Sequence, residues 1–240
     1  MTGTFELDLN SGSVVRMPFS LPVHLTLREA GDMGPSGAIT QPRRDEVLRG
    51  LGIDPGGYIT VKQVHSREVA VVGTARRPHP ETEADGLMTN DRRLALGVTV
   101  ADCMPILLHD PQTGAFAALH SGWRGTGIVS DAVRLMKNRF AVALENLEAL
   151  LGPSIRSCCY RVDEGRAALF SDLWGERAVV RREDGPYLDL LQPNIDLLES
   201  HGVNRISVAA ECTACTCALG SFRREGAERF TRMLAVIQGE

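Results

Sequence analysis

Two imidazoles and one thiol in this 240-residue chain each follow an apolar run, and that pattern can assemble a zinc site. His65 ends Gln63-Val64-His65 after the run 58–61. Cys103 ends Ala101-Asp102-Cys103 after the run 94–100. His120 follows the run 115–119 and opens a loop, Ser121-Gly122-Trp123-Arg124-Gly125-Thr126-Gly127. Runs of this kind read as buried strands. Ligands at the carboxyl ends of neighbouring strands can converge in the crevice where α/β proteins bind substrates. Two nitrogens and one sulfur suit zinc, and three protein ligands leave the fourth position open, as catalytic sites require. Against this, a single cysteine after a strand is most often a small buried hydrophobe, and the spacing is not that of a local zinc knuckle. The Gly-rich loop after His120 favours function, because its Trp and Arg have no evident core-packing purpose.

That loop leads into a helix expected over 128–140. Glycines let a backbone turn tightly and approach a ligand closely, and a helix start presents free N–H groups and the positive end of a dipole. Together they make an anion site, to which Arg124 adds a fork of donors suited to phosphate. The plainer reading is a tight turn with an exposed arginine. Asp85 and Asp102 are candidates for handling protons or for orienting the imidazoles, although Asp85-Gly86 is also a common turn dipeptide.

The elements that must position these residues alternate between strands and helices. Besides the three runs above, 149–151 and 206–210 read as buried strands. Apolar positions repeat at helical spacing in 128–140, and 163–174, 188–200 and 224–238 are further helix candidates, with Pro193 tolerable only in a first turn. Stretches 31–42 and 76–83 read as loops within one domain rather than boundaries. The expectation is one α/β domain over residues 1–240, with an apolar share of 43% that is ample for a core. A net charge of -4 argues against a nucleic-acid or anionic-membrane partner. Neither a signal peptide nor an apolar span is read, so the cytoplasm is expected. Six cysteines are too few for a disulfide scaffold and should be reduced there. Cys158 and Cys159 are adjacent. Cys212, Cys215 and Cys217 form a CxxCxC cluster that is a second metal site, a cluster that packs beside the active site, or a set of reduced thiols on a turn.

The motifs QVHS (63–66), ADGLMT (84–89), ADCMPILLHD (101–110), ALHSGWRGTG (118–127) and LGPSIRSCCYRV (151–162), in this order, resemble the YfiH/YlmD family, long described as laccase-domain or polyphenol oxidoreductase proteins. Residues 188–190, 202–203, 211–213 and 221–224 fit the same pattern. The resemblance implies layered mixed β-sheets flanked by helices in a cysteine-hydrolase-like (CNF/YfiH-like) architecture, and a zinc site from His65, Cys103 and His120 that carries the catalysis. It implies chemistry on purine nucleosides with phosphate: phosphorolysis of adenosine, inosine or methylthioadenosine, and adenosine deamination. Substrate contacts would fall on Asp85, Asp102, Ser121, Gly122, Arg124 and Gly125, and on Arg28, which stands where the family has an arginine. The N-terminal part departs from the pattern: His24-Leu25-Thr26-Leu27-Arg28-Glu29 and Gly34-Pro35-Ser36-Gly37 stand where the family has a TTR-type strand and a GGVS turn, and an Asn-bearing stretch is missing, which bears on substrate choice.

A zinc-activated water near neutral pH suits deamination, whereas phosphorolysis needs a held phosphate and a stabilised leaving base. The alternatives are a metal-free cysteine hydrolase with Cys103 as nucleophile and His120 or His65 as base, editing of peptidoglycan precursors, copper-dependent polyphenol oxidation, and a non-enzymatic module with a structural zinc. Copper would be accepted by a site of this softness. Multicopper oxidation, however, needs clustered imidazoles, and three of the six histidines lie outside any motif.

Overall fold

Short apolar runs broken by Gly, Pro and Asp build a fold dominated by strands. The computed structural model describes residues 2–35, 40–79 and 81–239. The chain begins β1 (Thr2–Phe5), β2 (Val14–Met17), β3 (Val23–Thr26), α1 (Thr40–Gly50), β4 (Tyr58–Ile59), β5 (Val69–Val71) and β6 (Gly86–Thr89). It continues β7 (Ala95–Val100), β8 (Met104–Asp110), β9 (Ala115–Ser121), α2 (Ile128–Phe140), β10 (Glu148–Leu151), α3 (Glu164–Trp174), β11 (Val179–Arg182) and β12 (Gly185–Leu188). It closes with α4 (Leu191–Ser200), β13 (Arg205–Ala209), α5 (Phe222–Glu225) and β14 (Met233–Gln238). A seven-stranded mixed sheet runs β1-β13-β10-β8-β9-β6-β5 and a five-stranded one β2-β3-β14-β7-β4, with β11 and β12 forming a separate hairpin.

The two sheets pack face to face and helices cover both outer sides. Phe116 and Ala118 of β9 and Leu107 of β8 meet Val98, Val100, Leu25 and Ala235 of the smaller sheet. The alternate residues, Ala117, Leu119, Ile106 and Leu108, face Val129, Ala132, Val133 and Met136 of α2. On the far side of the smaller sheet, Leu48 of α1 packs with Tyr58, Ala95, Leu234 and Val236. Strands buried on both faces need no polar alternation, which is why they appear as continuous apolar runs. Among the described residues no helix is long and apolar enough to cross a membrane.

Helix α2 has the bounds the periodicity predicts. Asp163 caps α3, its carboxylate accepting the N–H of Arg166. Helix α4 starts at Leu191, later than expected, because Leu188 belongs to β12, and Pro193 falls in its first turn. The helix expected over 224–238 does not form. Phe222–Glu225 makes one turn that ends at Gly226, at φ 79°, and Met233–Gln238 is a strand between β3 and β7. Met-Leu-Ala-Val-Ile is a short apolar run that periodicity alone cannot assign, and its place between two strands decides it. Of the loop stretches, residues 36–39 and Pro80 lie outside the described residues.

Candidate metal and active site

The three ligand candidates converge. Nitrogen atoms of His65 and His120 and the sulfur of Cys103 all lie within 4.8 Å of one another, with the two imidazole rings edge to face at 4.9 Å and 76°. The sheet arranges this directly. β8 and β9 pair antiparallel with Pro105 opposite His120, so Cys103 at the entry to β8 sits beside His120 near the end of β9. His120 is buried, Cys103 half-buried and His65 exposed, which leaves the cluster open on the His65 side.

His65 is held in a strained backbone conformation by its neighbours. Its φ is 61°, and Asp102 is at 81°; only Ala141 among the other described non-glycine residues also has a positive φ. Left-handed backbone outside glycine concentrates at functional sites where the surroundings enforce it. Two groups enforce it here. Gln63 pairs with the backbone of β7, its amide donating to the Thr99 carbonyl and its oxygen accepting the Thr99 N–H, both at 2.8 Å. The Asp85 carboxylate then accepts the N–H groups of Val64, His65 and Ser66 at 3.1, 3.0 and 2.6 Å.

Asp85 is the hub of the site. It is fully buried, so the turn reading of Asp85-Gly86 does not apply: Gly86 opens β6 and Asp85 lies inside. Besides three N–H groups it accepts the Ser66 hydroxyl at 2.8 Å, and its Oδ1 lies 2.8 Å from His120 Nδ1. Burial pushes this carboxyl up, but bonds from His120 and Ser66 outweigh burial and hold it at about 2. An ionised Asp85 takes the hydrogen bond of His120 Nδ1, so Nε2 is the nitrogen that meets the thiol and that would give up its proton to bind a metal. Burial likewise opposes ionisation of Cys103, yet the charges and hydrogen bonds of His120 and His65 bring its thiol down to about 6. His120 responds in the opposite sense: burial lowers it, and Cys103 and Asp85 raise it to about 9. A thiolate bracketed by imidazoles is the form that binds a soft metal ion.

Two glycines of the loop are needed for close approach. A Cβ at Gly122 would stand 2.7 Å from the Cys103 sulfur, and one at Gly125 would stand 2.9 Å from the Ser66 carbonyl oxygen. Ser121 does not face the cluster: its hydroxyl points to the other side of β9 and donates to Asn194 Oδ1 at 3.4 Å. Asp102 does not orient an imidazole. Its carboxylate accepts the Thr213 hydroxyl at 2.6 Å and the Arg223 N–H at 2.7 Å, fastening the segment after β13 beside Cys103. Arg124 is exposed and stacks on Trp123, which Arg166 approaches as well, the guanidinium carbons lying 5.1 and 4.8 Å from the ring. Two N–H groups at the start of α2, those of Ile128 and Ser130, bond to the carbonyls of Gly125 and Gly127. Arg28 is also exposed and donates weakly, at 3.4 Å, to the Cys217 carbonyl.

Sequence reasoning missed Ser66, Thr213 and Tyr160. Burial, and next to it the Cys103 thiolate, push the Tyr160 phenol up to about 12, and Arg223 lies 5.5 Å from its ring. The SCCY motif held the signal for Tyr160, but nothing local to that motif says which way its ring turns. Arg224 is structural, since its guanidinium is spent on the carbonyls of Thr213, Ala214, Thr216 and Leu219.

A layered α/β fold with an open His-Cys-His cluster at the edge between its sheets defines a class, and the comparisons with known proteins define the family. Residues 30–240 match the family described as multi-copper polyphenol oxidoreductase laccase, and the chain belongs to it. A purine nucleoside phosphorylase of Streptomyces coelicolor is 32% identical over 219 residues, 89% of this chain and 87% of that one. The purine nucleoside phosphorylase YlmD of Geobacillus stearothermophilus is 32% identical over 195 residues, 75% and 71% of the two chains. The crystal structure of Bacillus licheniformis hypothetical protein YfiH superposes with a TM-score of 0.86 at 26% identity, covering 98% of this chain and 99% of that one.

Proposed function

We propose that this chain is a zinc-dependent purine nucleoside phosphorylase that also deaminates adenosine. The observation that carries the reading is the His65-Cys103-His120 cluster, buttressed by Asp85 and flanked by aromatic and basic side chains, in a chain whose curated relatives bear the name purine nucleoside phosphorylase. The donor set fits zinc: two imidazoles and a thiol already inclined to ionise, with three protein ligands and an open side. Copper would also bind such donors, but only two imidazoles share a cluster among the described residues, too few for a chain of copper centres. Zinc held by His65, Cys103 and His120 would supply a Lewis acid.

The remaining work falls to the chain's own residues. Asp85 fixes the tautomer of His120 and the backbone of His65. The rings of Trp123 and Tyr160 offer faces on which a purine can stack. Arg124, Arg166 and Arg223 bring cationic forks to those rings, where they can hold the phosphate that attacks the sugar. The direct test is incubation of zinc-loaded protein with adenosine or inosine, with and without phosphate. Free base and ribose 1-phosphate that form only with phosphate support the reading, and no release of base refutes it.

Arg124→Ala is expected to raise the phosphate KM roughly ten- to hundredfold, the loss of one charge-assisted hydrogen bond, while zinc content and adenosine deamination stay near wild type, because deamination consumes water. Equal loss of both reactions would assign Arg124 to the nucleoside and move the phosphate to Arg223. Steady-state kinetics in phosphate, run beside a deamination assay, distinguish the two.

A specific arrangement favours a second reading, a metal-free cysteine hydrolase. Cys103, His120 and Asp85 stand in the order of nucleophile, base and orienting carboxylate.

A further inference from the structure

Four cysteines outside the His65-Cys103-His120 cluster meet at one place. Cys158 and Cys159 lie in the turn after β10, and Cys212 and Cys215 in the turn after β13. β10 and β13 are parallel neighbours with Leu151 opposite Val208, so both turns leave the same end of the sheet, and a bridge between Ser154 and Cys212 extends the pairing. The four sulfurs all lie within 4.8 Å of one another. The Cys215 sulfur is 3.7 Å from that of Cys158 and 3.3 Å from that of Cys159. Tetrahedral zinc with bonds of about 2.3 Å sets its sulfurs roughly 3.8 Å apart, whereas a disulfide would bring a pair to about 2.05 Å. All four thiols are free.

The surroundings of Cys212 favour sulfur that carries negative charge, whereas burial and the neighbouring cysteines push the Cys158 and Cys159 thiols up, so that without a cation these two keep their protons. Cys212-Thr213-Ala214-Cys215 is a CxxC turn closed by the N–H groups of Cys215 and Thr216 on the Cys212 carbonyl. The Cys212 sulfur receives the Arg156 N–H at 3.4 Å and is approached by the N–H groups of Ala214 and Cys215. The largely buried guanidinium of Arg156 adds a positive charge near Cys212 and Cys158. Four crowded thiolates without a cation would repel one another, and one divalent ion removes that repulsion.

We propose that Cys158, Cys159, Cys212 and Cys215 hold a second metal ion, a structural zinc in a closed all-sulfur site. It shares no ligand with the His65-Cys103-His120 site, and the exposed Cys217 takes no part in it. The ion joins two turns that build one wall of the active site. One turn carries Tyr160 toward Cys103, and the other carries Thr213 to the Asp102 carboxylate. The ion's role is to fix that wall, since four protein ligands leave no position for substrate.

The test is elemental analysis of protein purified under reducing, chelator-free conditions. About two zinc ions per chain are expected in the wild type, and about one in Cys103→Ala and in Cys212→Ser/Cys215→Ser, since each set of ligands holds one ion. Cobalt-substituted Cys103→Ala should show the charge-transfer bands of a tetrathiolate centre. Cys103→Ala leaves the four cysteines intact, so this measurement stands even if the double variant does not fold. A Cys103→Ala protein without tightly bound metal overturns the proposal. A native disulfide among the four cysteines, found by mass spectrometry of rapidly alkylated protein, overturns it as well. Neither outcome bears on nucleoside phosphorolysis, which is read by product formation in the wild type.

Discussion

Asp85→Asn is expected to lower the stability of the metal-free fold by about 3–5 kcal/mol, the range for breaking a buried charged network. The change is nearly isosteric, so the effect is electrical and directional. Oδ2 of Asp85 accepts from Val64 N–H, Ser66 N–H and the Ser66 hydroxyl, while Oδ1 accepts from His65 N–H and His120 Nδ1. Asparagine can offer its oxygen to one of these sets, and its amide hydrogens then confront the donors of the other. Each buried donor left unpaired costs about 1–3 kcal/mol. With the carboxylate gone, His120 loses the partner that sets its tautomer, and His65 loses the bond that holds its left-handed backbone. Affinity for metal at this site should fall about 10- to 100-fold, as when the group orienting a ligating histidine is removed. Denaturant titration and competitive chelation measure the two effects. The stability gap has a definite pH dependence. The Asp85 carboxyl sits at about 2 in the fold, below its ordinary value of 3.8, so its contribution is complete above pH about 4 and is lost as the pH falls through about 2. A variant as stable as wild type at pH 7 would show that the five hydrogen bonds at Asp85 do not hold the site together.

Cys103→Ala is expected to remove the metal from the His65-Cys103-His120 site and to reduce phosphorolysis by at least roughly 10³-fold, several kcal/mol of charge stabilisation at 1.36 kcal/mol per tenfold. The fold should survive. Cys103 is half-buried, the β8–β9 pairing beside it does not involve its side chain, and Asp102 keeps its bonds to Thr213 and Arg223. Metal content measured beside activity separates the two readings of the site. Loss of both together fits a metal-dependent enzyme. Loss of activity with an unchanged metal content would make Cys103 a nucleophile and favour the cysteine hydrolase. Full activity with full metal content would remove Cys103 from the site altogether.

Local features of this protein can be read from the residues alone. The sequence named β7 and β9 beside the ligands, because runs such as 94–100 and 115–119 are almost wholly apolar and read as buried, but it missed β8, which starts just after Cys103, and His120 lies inside β9 rather than after it. It gave α2 its bounds through spacing, and it marked His65, Cys103, His120 and the glycines beside them. What it left open depends on residues far apart in the chain. Whether Met233–Gln238 is helix or strand was settled by the gap between β3 and β7, which the run itself does not encode. Asp85 and Asp102 look alike as acidic residues next to motifs, yet one turns inward to five donors and the other holds Thr213 and Arg223, because each carboxylate follows the hydrogen-bond donors its fold supplies. The four cysteines of the all-sulfur cluster are two sequence-distant pairs that the parallel register of β10 and β13 brings together. Spacing along a chain records which residues can share a face of one element, but only the order of strands in a sheet decides which loops share an end.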